Sequence, residues 1–452
     1  MRFEAIEVAT ATGGRLVGPN VAIDGVSFDS RALQSGQLFV PIVADRDGHE
    51  FIVGALDRGA AAYLTAQPAR GGTAIEVDDT LHALMRLAAA QRHRYEGPLV
   101  GVTGSVGKTS TKDLAWAALG ASRRTWANER SFNNEQGLPT TLLNAPADTE
   151  VMVLEMGMRG FGEIRALCDI ARPTIGVITR VAEAHSDRVG GIDGVARAKA
   201  ELVQALPADG IAVLNADDHR VRAMRSLTAA TVLQYGEADD ADVRVADVVL
   251  DEQARATFTA HTPWGEVRVR LGVSGRHMVH NAAAALTVVG AVGADLSAGA
   301  AALADVGLTA MRMEITRTAA GALVLNDSYN ANPTSMRAAI DALVALPAGR
   351  RFAVLGLMAE IADAPQEHRA VLRYALDREV EVLAVGTDLY GITPVTDPVA
   401  ELGSLAGGDA VLVKGSRVVG LERVAAALLG QPVDPHQVAV PAEEQRPQGT
   451  TE

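Results

Sequence analysis

The stretch LVGVTGSVGKTSTKDLAWAAL, residues 99–119, reads as a buried strand, a glycine loop and a helix. Gly104 and Gly107 let the loop turn the N–H groups around Ser105 and Val106 toward an anion. The helix opening near Lys108 adds its positive end. Lys108 has the reach for the outer phosphates of a nucleotide, Thr109 is placed as a Mg²⁺ ligand, and Ser110 completes the set. The strict phosphate-loop pattern asks for glycine at position 102, where this chain has Val102. The match is therefore a variant, and its bland alternative is a glycine turn before an ordinary helix. A nucleotide alone fits a kinase, a GTPase switch, a motor or a ligase.

Neighbouring stretches narrow the chemistry. VMVLEMG puts Glu155 at the C-terminal end of a parallel strand, the edge where open α/β sheets bind ligands. ITRVAEAHSD puts His185 just beyond the end of the next strand. A carboxylate and an imidazole at adjacent strand tips, beside a phosphate loop, form a divalent-metal pair, although singly they read as a surface acid and a loop histidine. Residues 194–206, GVARAKAELVQAL, then set Lys199 on one helix face with Val195, Leu202 and Leu206, while Arg197, Glu201 and Gln204 take the other. An ammonium among methyl groups either snorkels to water or has a partner.

The elements that must position these groups follow from pattern. LVGVT, VMVLEMG, IGVIT and IAVLN are short β-branched runs at helical separation, the mark of a parallel sheet. RATFTAHTPWGEVRVRL alternates in twos about Pro263–Gly265 and reads as an antiparallel hairpin. DVGLTAMRME reads as a linker into a second α/β series: LVLND, FAVLGL, VEVLAVG and AVLVKGS. The expected division is 1–95, 96–309 and 310–432, with 433–452, polar and proline-rich, as a disordered tail.

Composition sets outer limits. The 452 residues are 48% hydrophobic but only 4% aromatic, so the cores are aliphatic. A formal charge of −14 argues against non-specific binding to nucleic acid or anionic membranes. The single cysteine, Cys168, excludes an intramolecular disulfide and a cysteine-built metal site. The N-terminus lacks a basic region and an apolar core, and AAAALTVVGAVGADLSAGAAALA reads as two core helices instead of a membrane span. A cytoplasmic location is expected, with no membrane insertion.

The succession TGSVGKTS, NNEQGLP, EMGMRGFGEI, EAH, ARAKAEL, VLNADD, GRHMVHNAAAA, RME, NDSYNANPTSM, EHR and VKGSR resembles the Mur ligase family, from about residue 14 to about residue 430. Within it the chain is most similar to the branch that adds D-alanyl-D-alanine to UDP-N-acetylmuramoyl-tripeptide in peptidoglycan precursor synthesis. The resemblance implies three α/β domains: a small N-terminal one for the UDP substrate, a central P-loop ATPase domain with a mostly parallel sheet and an antiparallel portion, and a C-terminal Rossmann-like one. It implies that ATP phosphorylates the peptide carboxylate and that the dipeptide amine attacks the resulting acyl phosphate. Two Mg²⁺ ions are implied, held by Thr109, Glu155, His185 and a Lys199 carbamylated by CO₂.

Further roles are implied residue by residue. Asn281 would contact adenine, Asp327 the ribose, and Arg312 the γ-phosphate, while Asn133 and Asn134 would line the nucleotide site. Ser30 and Arg31 would grip the uridine diphosphate. Tyr329, Asn330, Asn332, Met358 and Glu360 would lie near the dipeptide, although NANP is also good turn chemistry. Lys414 and Arg417 read either as surface cations or as substrate-facing. The chain departs from the family pattern at Arg180, Met278 and Leu357. A paralogue joining another acid and amine, and a non-ligating nucleotide switch, stand as alternatives. A monomer is expected.

Overall fold

The structure, a computed structural model, describes residues 2–129, 132–183 and 186–432. His185 and the stretch 433–452 lie outside the described residues. The N-terminal part holds strands β1 (Arg2–Glu4), β2 (Arg15–Val17), β3 (Ala22–Asp24), β4 (Val26–Ser27), β5 (Leu38–Phe39), β6 (Ala62–Thr65) and β7 (Ala74–Glu76). β1 pairs with β3, and the others form a five-stranded sheet in the order β2-β7-β6-β5-β4.

A nine-stranded sheet follows, from β8 (Leu99–Thr103), β9 (Thr125–Ala127), β10 (Val151–Glu155), β11 (Ile175–Ile178), β12 (Ile211–Asn215), β13 (Thr231–Gly236), β14 (Val243–Leu250), β15 (Arg255–Thr262) and β16 (Gly265–Ser274). Its order is β16-β15-β14-β13-β12-β11-β8-β10-β9. Pairing is parallel from β9 to β14 and antiparallel through β15 and β16, which gives the expected hairpin. Alternation along each strand divides two cores. Val100, Val102, Val151 and Val153 share one core with the helices Lys108–Gly120 and Met278–Ala291, whereas Leu99, Met152 and Leu154 share another with residues of the N-terminal part.

The strand order corrects one expectation. β10 and β11 are not neighbours; β8 runs between them, paired with both. The end of β8 is thus a switch point where chain connections diverge to either side and leave a crevice. The glycine loop sits there, with Glu155 on one flank and the segment after β11 on the other.

The last sheet comprises β17 (Glu314–Arg317), β18 (Leu323–Asn326), β19 (Arg350–Leu355), β20 (Glu381–Ala384) and β21 (Asp409–Lys414), in the order β17-β18-β21-β19-β20. Only β17 runs antiparallel to its neighbour. The alanine-rich segment forms two helices, Met278–Ala291 and Leu296–Ala302, and no helix among the described residues is long and apolar enough to cross a membrane.

Asn144, at the end of the helix Gly137–Leu143, joins the N-terminal part to the central sheet. Its Oδ1 accepts from Val26 N–H at 2.8 Å and its Nδ2 donates to Val26 C=O at 2.9 Å, mimicking a strand partner. Asn144→Ala is expected to cost about 2 kcal/mol, because both backbone groups lose their partner, and the check is denaturant unfolding with hydrogen exchange at Val26.

Candidate active site

One cavity of about 700 Å³ lies between the central sheet and the C-terminal sheet. The glycine loop forms its floor for steric reasons. Gly104 has φ +154°, and a Cβ there would collide with Thr179 Oγ1. Gly107 has φ +83°, and a Cβ there would lie 2.6 Å from Asn281 Oδ1. The loop is fastened to the segment after β11: Ser105 donates through N–H to Arg180 C=O at 2.6 Å and through its hydroxyl to Ala182 C=O at 2.8 Å. Both Ser105 donors are therefore already engaged. Val106 and Ser110 also line the cavity.

Lys108 folds back so that Nζ donates to Gly104 C=O at 2.8 Å. Burial pushes its ammonium below the ordinary lysine range, Glu155 opposes that push, and Arg312 adds to it. Beside it, Thr109 Oγ1 donates to Glu155 Oε2 at 2.7 Å, while Asn133 Nδ2 donates to Glu155 Oε1 at 2.7 Å. A buried hydroxyl and carboxylate oxygen this close make a hard, oxygen-only corner that suits Mg²⁺, an ion that keeps water and phosphate oxygens in its shell. Among the described residues no three His, Cys, Asp or Glu converge on one point, so phosphate and water would supply most of the coordination.

Lys199 is on the same wall, in the helix Ile192–Gln204, and only 2% exposed. Its head opens onto the cavity it lines and not onto the outer surface, so it does not snorkel along the helix face. Among the described residues its Nζ has no hydrogen-bond or ion-pair partner. Burial drives its pKa well below the lysine value, the nearby Lys108 charge lowers it further, and Glu155 only partly opposes this. Burial thus favours the uncharged form of this amine.

The opposite wall comes from the linker and β18. Arg312 stacks over the Tyr329 ring, 4.2 Å from its centroid, and its buried Nε has no hydrogen-bond partner among the described residues. The charge of Arg312 is already felt at Lys108, so the two walls face each other across one space. Asp327 Oδ2 pairs with Lys414 Nζ at 2.5 Å, and Oδ1 accepts from Met313 N–H at 3.2 Å. Lys414 also donates to Asn330 C=O at 2.8 Å and is 2% exposed, so it is a buried clamp and no surface cation. Arg417 instead contacts Met311 Sδ and Glu422.

The remaining expected residues divide between the cavity rim and places away from it. Asn332 caps the helix Pro333–Ala345 in a box with Ser335, and Asn134 Oδ1 accepts from Gly137 N–H at 2.9 Å; both border the cavity, but their side chains serve turns. Asn330 and Tyr329 border it as well. Met358 is 1% exposed inside the core, where only its backbone is distinctive: its N–H donates to His368 Nε2 at 2.9 Å. Met358 and Glu360 do not line the cavity. Neither do Ser30 and Arg31, and the Arg31 guanidinium is already paired with Asp29. Asn128 and His277 went unmarked in the sequence. Asn128 Oδ1 accepts from Glu155 N–H at 2.6 Å and so sets the carboxylate's backbone, yet nothing in WANERSFNN singles it out from the other asparagines.

Comparison with protein families matches residues 102–289 to the Mur ligase middle domain and residues 311–417 to the Mur ligase glutamate ligase domain. The chain belongs to the Mur ligase family. A UDP-N-acetylmuramoyl-tripeptide–D-alanyl-D-alanine ligase of Mycobacterium tuberculosis is 39% identical over 89% of this chain and 92% of its own. Among solved structures, MurF from Acinetobacter baumannii superposes with a TM-score of 0.83 at 27% identity, covering 95% of this chain and 99% of its own. MurF ligase from Thermotoga maritima in complex with ADP gives 0.80 at 27% identity, covering 90% and 97%. The mixed α/β architecture, with its parallel-rich central and C-terminal sheets, is that of these Mur ligases.

His277 sits on the cavity wall near Asp327 and Lys414. Burial lowers its pKa from 6.5 to about 4, with Asp327 opposing and Lys414 adding to the shift. The folded value lies below the unfolded one, so the stabilisation is complete above pH 6.5 and drains away as pH falls toward 4. His277→Gln is expected to flatten the fall of melting temperature across that interval relative to the parent.

Proposed function

We propose that this chain is an ATP-dependent ligase that joins D-alanyl-D-alanine to UDP-N-acetylmuramoyl-tripeptide, a step of peptidoglycan precursor synthesis. The observation that carries the reading is the single cavity in which Lys108, Thr109, Glu155 and Lys199 face Arg312, Asp327 and Tyr329. Relatives named for this reaction, aligned over most of their length, supply the substrate identities.

The chemistry follows from charge. A carboxylate and a triphosphate repel by about 4 kcal/mol per pair of unit charges at 4 Å in an effective dielectric near 20. Lys108 and Arg312, on opposite walls, cancel that repulsion from both sides and align the transfer. The peptide carboxylate oxygen attacks the γ-phosphorus, the bond to ADP breaks, and an acyl phosphate forms. The dipeptide amine then attacks the acyl carbon, loses a proton, and phosphate leaves. Mg²⁺ held by Thr109 and Glu155 would neutralise charge on the phosphate oxygens. Asn281 is read as the adenine contact and Asp327 as the ribose contact, the latter orientated by Lys414. Asn133 acts through Glu155.

Lys199 is read as carbamylated. Its neutral amine adds to CO₂, releasing a proton and leaving an anion where an ammonium would repel a second metal ion; His185 would share that ion. Ser30 and Arg31 are read as the uridine diphosphate grip, with Arg31 exchanging Asp29 for phosphate. The chain divides into units 1–95, 96–309 and 310–432, a reading supported by a separate sheet in each. It is read as a monomer that acts in the cytoplasm on soluble nucleotide substrates.

Phosphate release is expected only when ATP, the UDP-tripeptide and D-alanyl-D-alanine are all present; release indifferent to the amine would instead indicate a nucleotide switch. In Lys108→Ala turnover is expected to fall about a thousandfold or more while the fold survives, measured by ADP production and circular dichroism. With ¹³C-labelled bicarbonate, a carbamate resonance is expected in the parent and absent in Lys199→Ala; an unmodified amine in active enzyme would remove the carbamate from the account.

A further inference from the structure

Lys112 and Asp113 do not line the cavity, yet both are buried one turn along the helix from Lys108 and Thr109. Their side chains form an ion pair, Lys112 Nζ to Asp113 Oδ1, at 2.8 Å. Each end of the pair has a second attachment. Lys112 Nζ donates to Asn128 C=O at 2.7 Å, and Asn128 is the residue whose amide holds the Glu155 backbone. Asp113 Oδ2 accepts from Thr309 twice, from N–H at 2.8 Å and from Oγ1 at 2.9 Å. Thr309 lies in the linker just before Arg312, in a stretch whose Met311 and Met313 adopt positive φ of 62° and 53°.

The contacts form one unbroken chain: linker, Asp113, Lys112, Asn128, Glu155, Thr109. A buried ion pair adds little net stability over well-packed apolar side chains of the same volume, so stability alone does not account for it. Its geometry does. Asp113 divides its two oxygens between the helix that carries Lys108 and the linker that carries Arg312.

We propose that Lys112, Asp113 and Thr309 are positioning residues that hold the Arg312 linker in register with the Glu155 carboxylate. Movement of the C-terminal sheet then reaches the metal-binding corner through buried hydrogen bonds. The proposal deepens the ligase reading and rests on it for the role of Glu155.

Thr309→Val decides the matter, because it removes only the hydroxyl bond to Asp113 and leaves the buried pair intact. Turnover of the parent enzyme on its three substrates tests the ligase reading separately. The Mg²⁺ dependence of ADP binding, followed by titration calorimetry, tests the relay without turnover. The Mg²⁺ concentration giving half of the affinity gain is expected to rise about fivefold in Thr309→Val and return to within about twofold of the parent in Thr309→Ser. Thr309→Val should also lower kcat about tenfold with KM values held within about twofold. A lower melting temperature with parental Mg²⁺ dependence and kcat would make Thr309 a structural contact only and overturn the proposal. Asp113→Asn, where it folds, should shift the Mg²⁺ requirement further in the same direction; a folded variant with the parental requirement would equally overturn it.

Discussion

Cationic side chains crowded on one cavity wall, with less negative charge beside them, are the condition on which this protein is built. Lys199 is buried and Lys108 half-buried, and the pKa of each is lowered by desolvation and a neighbouring cation. Glu155 is the one carboxylate that opposes both. A cavity of this kind is costly until an anion arrives, and a nucleotide triphosphate is the anion whose size and charge fit. The same imbalance gives the wall affinity for the reacting phosphates and preorganises it for the charge that moves during transfer.

The sheet topology brings this about. β8 lies between β10 and β11, so the loop that follows β8 opens into a crevice with chain leaving on both flanks. Glu155 terminates β10 on one side, and the segment after β11 pins Ser105 and Val106 on the other. The C-terminal sheet repeats the device. β21 inserts beside β18, which carries Lys414 to the end of β18 and lets it clamp Asp327 and the loop holding Tyr329 and Asn330.

Buried polar networks do the aligning across these boundaries. The ends of Asn144 reach the N-terminal sheet, the Lys112–Asp113 pair reaches the linker, and the Lys414–Asp327 pair fastens the loop after β18. Each is directional, whereas the aliphatic cores that surround them fix little beyond distance.

The sequence alone determined the strands of both parallel series, the hairpin about Pro263–Gly265, the paired alanine-rich helices and the glycine loop, because hydrophobic period, turn chemistry and glycine's freedom act over a few residues. It also placed Lys199 on an apolar helix face. Only the tertiary structure decided that this lysine opens onto the cavity and not the outer surface, that β8 separates Glu155 from the strand before His185, that Met358 turns into the core, and that Lys414 is buried against Asp327. These outcomes depend on strand order and on contacts between residues far apart in the chain, Thr309 with Asp113 being the longest reach. Local spacing carries no information about either, since the energy that selects them comes from packing and desolvation of the assembled molecule.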